Sequence, residues 1–210
     1  MSKKDKQLKF IEEDIVDEDG NELAVQNNTV NPKKEIVPLN QMMDMAETLA
    51  KSTIVPQQYM NRPENILLAL DMSNRLGISP LVVMQQLYII QGRPSWSGQF
   101  VATIVQTNPK FEDVELVYVG EEGKDSFGAY VRAKDKETGK ELKGTTVTMK
   151  MAKEEKWGPK WRTMPGQMLG YRAYTFFGRM YCPAELMGLY TTDEVEDFDP
   201  PRDKVNNPYD

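Results

Sequence analysis

The stretch at residues 157–183 constrains the fold most, because it predicts a long amphipathic helix with a defined start and end. Pro165 suits the first turn of a helix, and Pro183 cannot continue one. The apolar residues between them recur at i, i+4, i+7, i+8 and i+11, which predicts a stripe roughly 100° wide that faces a core. This stripe consists of Leu169, Ala173, Phe176, Phe177 and Met180.

Two arginines, Arg172 and Arg179, flank this apolar stripe. They are seven residues apart, so they point the same way, two helical turns from each other. We expect each arginine to lay its stem on the core and to hold its guanidinium group at the rim. Two such groups about 10 Å apart suit alternate phosphates of an extended nucleic-acid strand. Structural ion pairs with carboxylates are the alternative interpretation.

The segment before residue 88 predicts an N-terminal helical subdomain. Apolar residues recur at helical spacing over 42–50, and a second helix is predicted over 63–77, with Gly77 as its C-terminal cap. Ser79 followed by Pro80 predicts the start of a third, short helix. Short turns join the three helices, which favours a compact unit.

Residues 112–150 predict the β part of the fold. Three segments, VELVYV, GAYVRA and TTVTMKM, have strand composition, and charged glycine-containing loops separate them. They predict a three-stranded antiparallel meander, with the segment 88–90 as a candidate fourth strand. The fold class is therefore α+β: a helical subdomain, an antiparallel sheet of three to four strands and the long C-terminal amphipathic helix.

The composition excludes several kinds of chemistry. The chain has no histidine and one cysteine, Cys182, which excludes His–Cys zinc sites, Ser-His-Asp triads and an intrachain disulfide. Neither G-x-x-x-x-G-K-[ST] nor G-x-G-x-x-G occurs, and the 32 acidic residues form no recognisable metal-binding pattern. The sequence therefore shows no catalytic, metal-binding or nucleotide-binding constellation and favours a non-enzymatic protein, although carboxylate chemistry remains possible. The sequence lacks a membrane-length apolar run and a signal-peptide pattern, so a cytoplasmic location is expected.

The charge is divided along the chain. Residues 1–36 hold six lysines and nine acids, and residues 185–210 hold two basic and eight acidic residues. Residues 132–179 hold 12 basic and five acidic residues, which is the usual footprint of phosphate binding, although lysines and arginines also solvate ordinary surfaces. We expect a disordered acidic extension at 1–36, one domain at 37–197 and a disordered acidic tail at 198–210. The extension either aids solubility or mimics DNA on the basic surface.

Arg93 and Trp96 follow the predicted turn Gly92-Arg93-Pro94 and precede a helix that Ser97 caps. In one interpretation Arg93 meets a phosphate, while Trp96 or Tyr88 offers its ring to a base, since base–aromatic stacking tolerates any sequence. In the other, Trp96 anchors the core and Arg93 is a surface charge.

Two blocks of the sequence resemble the RecT/Bet (Red beta) group of phage annealing proteins, over about residues 45–197. The first block is SPLVVMQQLYIIQGRPSWSGQF. The second consists, in order, of Trp161, Pro165, Met168, Leu169, Arg172, Ala173, Gly188, Leu189, Tyr190, Asp193 and Glu194. One position departs from the pattern: Gly170 stands where the relatives carry a basic residue, which removes one expected phosphate contact.

The resemblance implies an ATP-independent protein that coats single-stranded DNA and anneals it to a complementary strand during phage homologous recombination and DNA repair. It implies a homo-oligomer, either a ring or a helical filament, that holds an annealed duplex intermediate. A phage exonuclease and the host single-strand binding protein are the implied partners in the bacterial cytoplasm, and no cofactor is implied.

The candidate DNA-binding residues combine the basic centre of the chain with neighbouring tryptophans. They are Arg93, Trp96, Lys143, Lys150, Lys153, Lys156, Lys160, Trp161, Arg162, Arg172 and Arg179. The main alternative function is a non-catalytic module that recruits a phage replication or recombination partner through the acidic tails. A carboxylate-dependent nuclease is a third alternative, but the basic region lacks the clustered acids that it requires.

Overall fold

The computed structural model describes residues 37–90 and 92–198. The predicted acidic segments at 1–36 and after 198 lie outside the described residues, so their disorder and the domain boundaries stay predictions. The elements are, in chain order, α1 (Leu39–Ala50), α2 (Pro63–Leu76), α3 (Pro80–Gln86), β1 (Leu87–Ile90), β2 (Arg93–Trp96), α4 (Gly98–Thr107), β3 (Phe111–Val119), β4 (Gly128–Asp135), β5 (Glu141–Lys143), β6 (Val147–Thr148), α5 (Met149–Glu154), α6 (Lys160–Thr163), α7 (Pro165–Tyr181), α8 (Pro183–Leu186), β7 (Tyr190–Thr191) and α9 (Thr192–Phe198). The α+β fold class is thus confirmed. Among the described helices none is long and apolar enough to span a membrane alone; α2 and α3 reach that length only as a pair bent by 114°.

The predicted N-terminal helical subdomain is confirmed. Helices α1, α2 and α3 pack around one hydrophobic core, in which Ala46, Ile66 and Val83 are almost completely buried. Gly77 ends α2 in the left-handed conformation, with φ at +70°, and its amide donates to the Ser73 carbonyl. Strands β1 and β2 and helix α4 complete this core.

A small separate sheet has the order β1-β2-β7. Strands β1 and β2 form an antiparallel hairpin, and β2 pairs in parallel with β7, with Ser95 opposite Tyr190. The candidate fourth strand at 88–90 therefore does not join the main meander, and Arg93-Pro94, predicted in a turn, belongs to a strand. The physical reason is Trp96, which is completely buried and donates from Nε1 to the Leu186 carbonyl at 3.3 Å, so β2 must lie against the core.

The larger sheet has the order β3-β4-β5, and β6 pairs with β4 beside β5. The antiparallel sheet is as predicted, but two details differ. The short strand β5 begins at the last residue of the predicted loop 134–141, and the predicted third strand stops at Thr148. Thr148 caps α5, since its hydroxyl oxygen accepts from the Met151 amide at 3.3 Å, and the chain becomes helical there.

Helix α7 confirms the predicted long amphipathic helix and packs on the inner face of this sheet. Leu169, Ala173 and Phe177 are completely buried, whereas Met180 at the end of the predicted stripe is 54% exposed. Gly170 faces the sheet rather than solvent: a Cβ atom there would lie 3.1 Å from Leu116 Cδ2 and 3.4 Å from the Tyr118 hydroxyl. Gly170 thus lies at a close approach of α7 to the sheet, where any larger side chain would contact Leu116 and Tyr118.

Candidate nucleic-acid interface

A groove of about 510 Å³ lies between α5 and α6 and brings together three basic residues and two tryptophans of the basic segment 132–179. We call it the Trp157 groove. Its lining residues are Met149, Ala152, Lys153, Lys156, Trp157, Gly158, Pro159, Trp161 and Arg162. They form an apolar and aromatic floor with three cations at the edge, and no acidic residue lines it.

The floor is built on two tryptophans four residues apart. The rings of Trp157 and Trp161 have centroids 4.5 Å apart and are tilted by 40°. Trp161 is buried, with 2% exposure, whereas Trp157 is half-buried and lines the groove. The Trp157 amide donates to the Ala152 carbonyl at 2.9 Å, so the chain turns sharply after α5. This turn keeps Trp157 near Ala152, and both residues line the groove.

The edge of the groove carries Lys153, Lys156 and Arg162. Lys153 pairs with Asp125, but both side chains are more than half exposed, so this pair is weak and easily exchanged for another anion. Within the described residues Lys156 and Arg162 have no ion-pair partner. Lys156 adopts a left-handed backbone conformation with φ at +56°, which costs a lysine about 1–2 kcal/mol. Such local strain is typical of functional sites, where the surrounding structure maintains it.

Arg172 lies beneath the groove and not at its rim. Its side chain is completely buried, and Nη2 donates to Asp197 at 2.5 Å and to Asp193 at 3.3 Å. The guanidinium carbon lies 4.2 Å from the centroid of the Trp157 ring. Nε and Nη1 have no hydrogen-bond partner in the described part of the chain. The predicted position of Arg172 at the rim is wrong, because Asp193 and Asp197 of α9 neutralise its charge and allow the side chain to be buried.

Arg179 is also engaged by α9. Both of its terminal nitrogens donate to Glu194, and the Glu194 side chain is completely buried. Glu194 additionally accepts from the amide of Thr191 at 2.9 Å and from its hydroxyl. Arg179 remains about one-third exposed and lies 5.1 Å from the centre of the Tyr190 ring. For both arginines the structure agrees with the alternative of Arg–carboxylate bridges.

The other predicted site residues are dispersed. Arg93 is exposed on the small sheet, while Trp96 beside it is inside the core and offers no face to a base. Lys143 extends from β5 over the Tyr130 ring, 4.2 Å from its centroid. Lys150 pairs with Glu154 within α5, and Lys160 pairs with Glu196 of α9 at 2.8 Å. The structure thus gathers Lys153, Lys156, Trp161 and Arg162 and leaves the rest elsewhere.

Two residues important for the groove were missing from the predicted site: Trp157 and Asp197. The signal for Trp157 was its spacing of four from Trp161, with glycine and proline between them, which predicts two rings close together at a turn. The signal for Asp197 was its spacing of four from Asp193, which places two carboxylates on one face of a helix, ready to neutralise a buried arginine.

Nothing in the described residues indicates a reactive centre. Burial raises the pKa of the Cys182 thiol to about 11, so the thiol stays protonated near neutral pH. Within 37–90 and 92–198 no three or more Asp, Glu or Cys side chains are placed to hold a metal ion. The groups that line the Trp157 groove suit a polyanion with flat, apolar parts.

An aromatic floor edged by cations is the arrangement of proteins that bind single-stranded nucleic acids without sequence preference. Comparison with known families agrees with this class: the model of the RecT family matches residues 40–206, which include every described helix and strand except the first residue of α1. The chain belongs to the RecT family, as the two sequence blocks predicted. Searches of curated proteins and of solved structures gave no match. Membership implies single-strand annealing in DNA recombination, with binding of single-stranded DNA and oligomerisation.

Proposed function

We propose that this protein anneals complementary DNA strands without ATP and that the Trp157 groove binds the incoming single strand. The observation that carries the proposal is the groove itself, in which Lys153, Lys156 and Arg162 surround an indole without an acidic neighbour in the lining. Phosphates meet the cations at the edge, and a base stacks on Trp157. Stacking of one base on an aromatic side chain contributes about 1–3 kcal/mol and tolerates any base.

The proposed independence from ATP is supported by the sequence, which has neither of the standard nucleotide-binding loops. In this mechanism the protein reads no sequence. It neutralises two backbones that would otherwise repel each other, and base pairing between the strands selects the correct partner. The energy for annealing comes from the duplex that forms.

The assembly and partners are proposed at a finer level than family membership supplies. We propose a ring or helical filament in the bacterial cytoplasm, in which the Trp157 grooves of successive subunits follow one strand. A phage exonuclease that exposes the single strand and the host single-strand binding protein are the proposed partners. Membership of the RecT family supports the proposed assembly. Each subunit would contribute one Trp157 groove to the path of the strand.

The test is an annealing assay with two complementary oligonucleotides and no nucleotide, on the natural protein and two triple variants. One variant removes the groove cations, with Lys153, Lys156 and Arg162 each changed to alanine. The matched control removes the same charge outside the predicted site, with the exposed lysines Lys51, Lys136 and Lys140 each changed to alanine.

We expect the groove variant to anneal slowly and the control to behave almost like the natural protein. Each phosphate contact contributes about 0.7 to the slope of log affinity against log salt for single strands, so the groove variant should lose about 2 from that slope. Equal losses in both triple variants would show that binding depends on net charge alone and would remove the groove from the mechanism. Absence of annealing in the natural protein would instead favour the recruiting module.

A further inference from the structure

Asp197 is a buried acid that joins three parts of the structure behind the Trp157 groove. Its Oδ2 accepts from Arg172 at 2.5 Å and from Trp161 Nε1 at 3.3 Å, and its Oδ1 accepts from the Gly158 amide at 2.8 Å. Only 3% of the side chain is exposed. One carboxylate therefore fixes α7, the second tryptophan of the floor and the turn that carries the first.

Arg172 extends this support to Trp157. Its guanidinium group lies 4.2 Å from the centroid of Trp157 and 5.5 Å from that of Trp161, while Asp193 and Asp197 neutralise its charge. A planar cation against an indole face is a favourable contact, and desolvation strengthens it. The orientation of both rings is thus set from the interior, by residues that a bound strand does not reach.

We propose that Asp197, acting through Arg172 and the 158–161 segment, positions the floor of the Trp157 groove, so that the acidic helix α9 is required for strand binding. The inference rests on the proposed function, because it assigns a role in the same groove. The proposed effect of Asp197 on DNA binding is opposite to the effect of its charge: the negative charge repels DNA, but the carboxylate strengthens binding because it positions the groove.

The neighbouring residue Glu196 offers a matched control. It lies on the same helix and pairs with Lys160 at 2.8 Å, with 47% and 51% of the two side chains exposed. Asp197→Asn and Glu196→Gln remove the same single negative charge within one residue of each other. If charge alone mattered, both changes would tighten binding of an anionic strand. If Asp197 positions the floor, the two changes have opposite effects.

The experiment measures binding of a labelled single-stranded oligonucleotide to the full-length protein by fluorescence anisotropy at several salt concentrations. We expect Asp197→Asn to weaken binding about tenfold, the loss of roughly one stacked base. Its salt slope should stay unchanged, because the groove cations remain. Glu196→Gln should bind as well as the natural protein or up to about twofold more tightly, because Lys160 becomes free for a phosphate.

A second readout reports the floor directly. Saturating DNA should quench tryptophan fluorescence less in Asp197→Asn than in Glu196→Gln or in the natural protein, because a displaced indole stacks poorly. Arg172→Lys provides a second variant in which the buried carboxylates keep a cation but the planar contact with Trp157 is lost. It should show the same weaker binding and reduced quenching, at an unchanged salt slope.

Opposite signs for Asp197→Asn and Glu196→Gln, together with weak binding by Arg172→Lys, support the positioning role. Tighter or equal binding by Asp197→Asn overturns it, as does full quenching in that variant. If Asp197→Asn fails to fold, Arg172→Lys decides alone: natural affinity and quenching in that variant overturn the inference. Failure of the proposed function is separate, because the triple variant of the groove cations would then keep its affinity and slope.

Discussion

Replacement of Arg172 by alanine tests whether this arginine supports the fold from the interior or contacts DNA from the surface. Its side chain is completely buried, and the Asp193 and Asp197 side chains that pair with it are 9% and 3% exposed. Removal of the guanidinium group leaves two carboxylates inside the protein without a cation. The expected consequence is therefore a loss of stability, with any loss of DNA binding secondary to it.

The magnitude follows from the contacts. Breaking a buried ion pair by removing one partner costs about 3–5 kcal/mol, and a desolvated cation–aromatic contact such as that of Arg172 with Trp157 contributes up to about 2 kcal/mol. These contributions share one group and do not add in full, so we expect a loss of about 4 kcal/mol. Domains are stable by about 5–15 kcal/mol, and a loss of this size lowers the Tm of a protein this long by about 8–16 °C.

Thermal and urea unfolding followed by circular dichroism measures this loss. Arg162→Ala is the control, because Arg162 is exposed and has no ion-pair partner among the described residues; its unfolding free energy should change by less than about 0.5 kcal/mol. The reasoning would be refuted if the unfolding free energy of Arg172→Ala lay within about 1 kcal/mol of the natural value while the variant bound single strands poorly. That result would indicate that Arg172 contacts DNA directly.

Two further predictions concern the larger sheet. Gly170→Lys introduces the basic residue that the family resemblance implies at this position. The new side chain meets Leu116 and Tyr118, so the variant should be less stable by about 1–3 kcal/mol and should bind DNA no more tightly. Tighter DNA binding at an unchanged urea midpoint would contradict this prediction. Hydrogen bonds from Thr138 to Asp135 lower the pKa of that carboxyl, so its stabilising effect is present above the ordinary aspartate pKa near 3.9 and is lost as the pH falls through the lower folded value. The urea midpoints of the natural protein and Asp135→Asn should thus converge as the pH falls below the ordinary aspartate range, and a constant difference would show that ionisation of Asp135 is irrelevant.

Local patterns predicted much of the architecture. Pro63, Pro80 and Pro165 each stand at the first position of a helix, as their fixed φ angle favours, and the apolar stripe of α7 faces the core over most of its length. The two long strands β3 and β4 followed from composition. These features depend on near neighbours in the chain, which is why sequence patterns predict them.

The site was harder to predict, because its geometry depends on distant segments. An arginine beside an apolar stripe is expected at a rim, and only the carboxylates of α9 allow Arg172 to be buried. The two tryptophans of the floor have the same chemistry, and only packing decides that Trp161 is buried while Trp157 lines the groove. The sequence indicates Gly170 only as a missing basic residue, and the structure adds that it lies at a close approach of α7 to the sheet.

The pairing of β2 with β7 has a consequence for synthesis of the chain. The nearby bond from Trp96 Nε1 to the Leu186 carbonyl joins residues 90 positions apart, and α9, which neutralises Arg172, comes later still. Until β7 and α9 leave the ribosome, one edge of β2 is unpaired and Arg172 lacks its carboxylate partners. The floor of the Trp157 groove therefore becomes fully ordered only after α9 has been made, because Asp197 of that helix holds Gly158, Trp161 and Arg172.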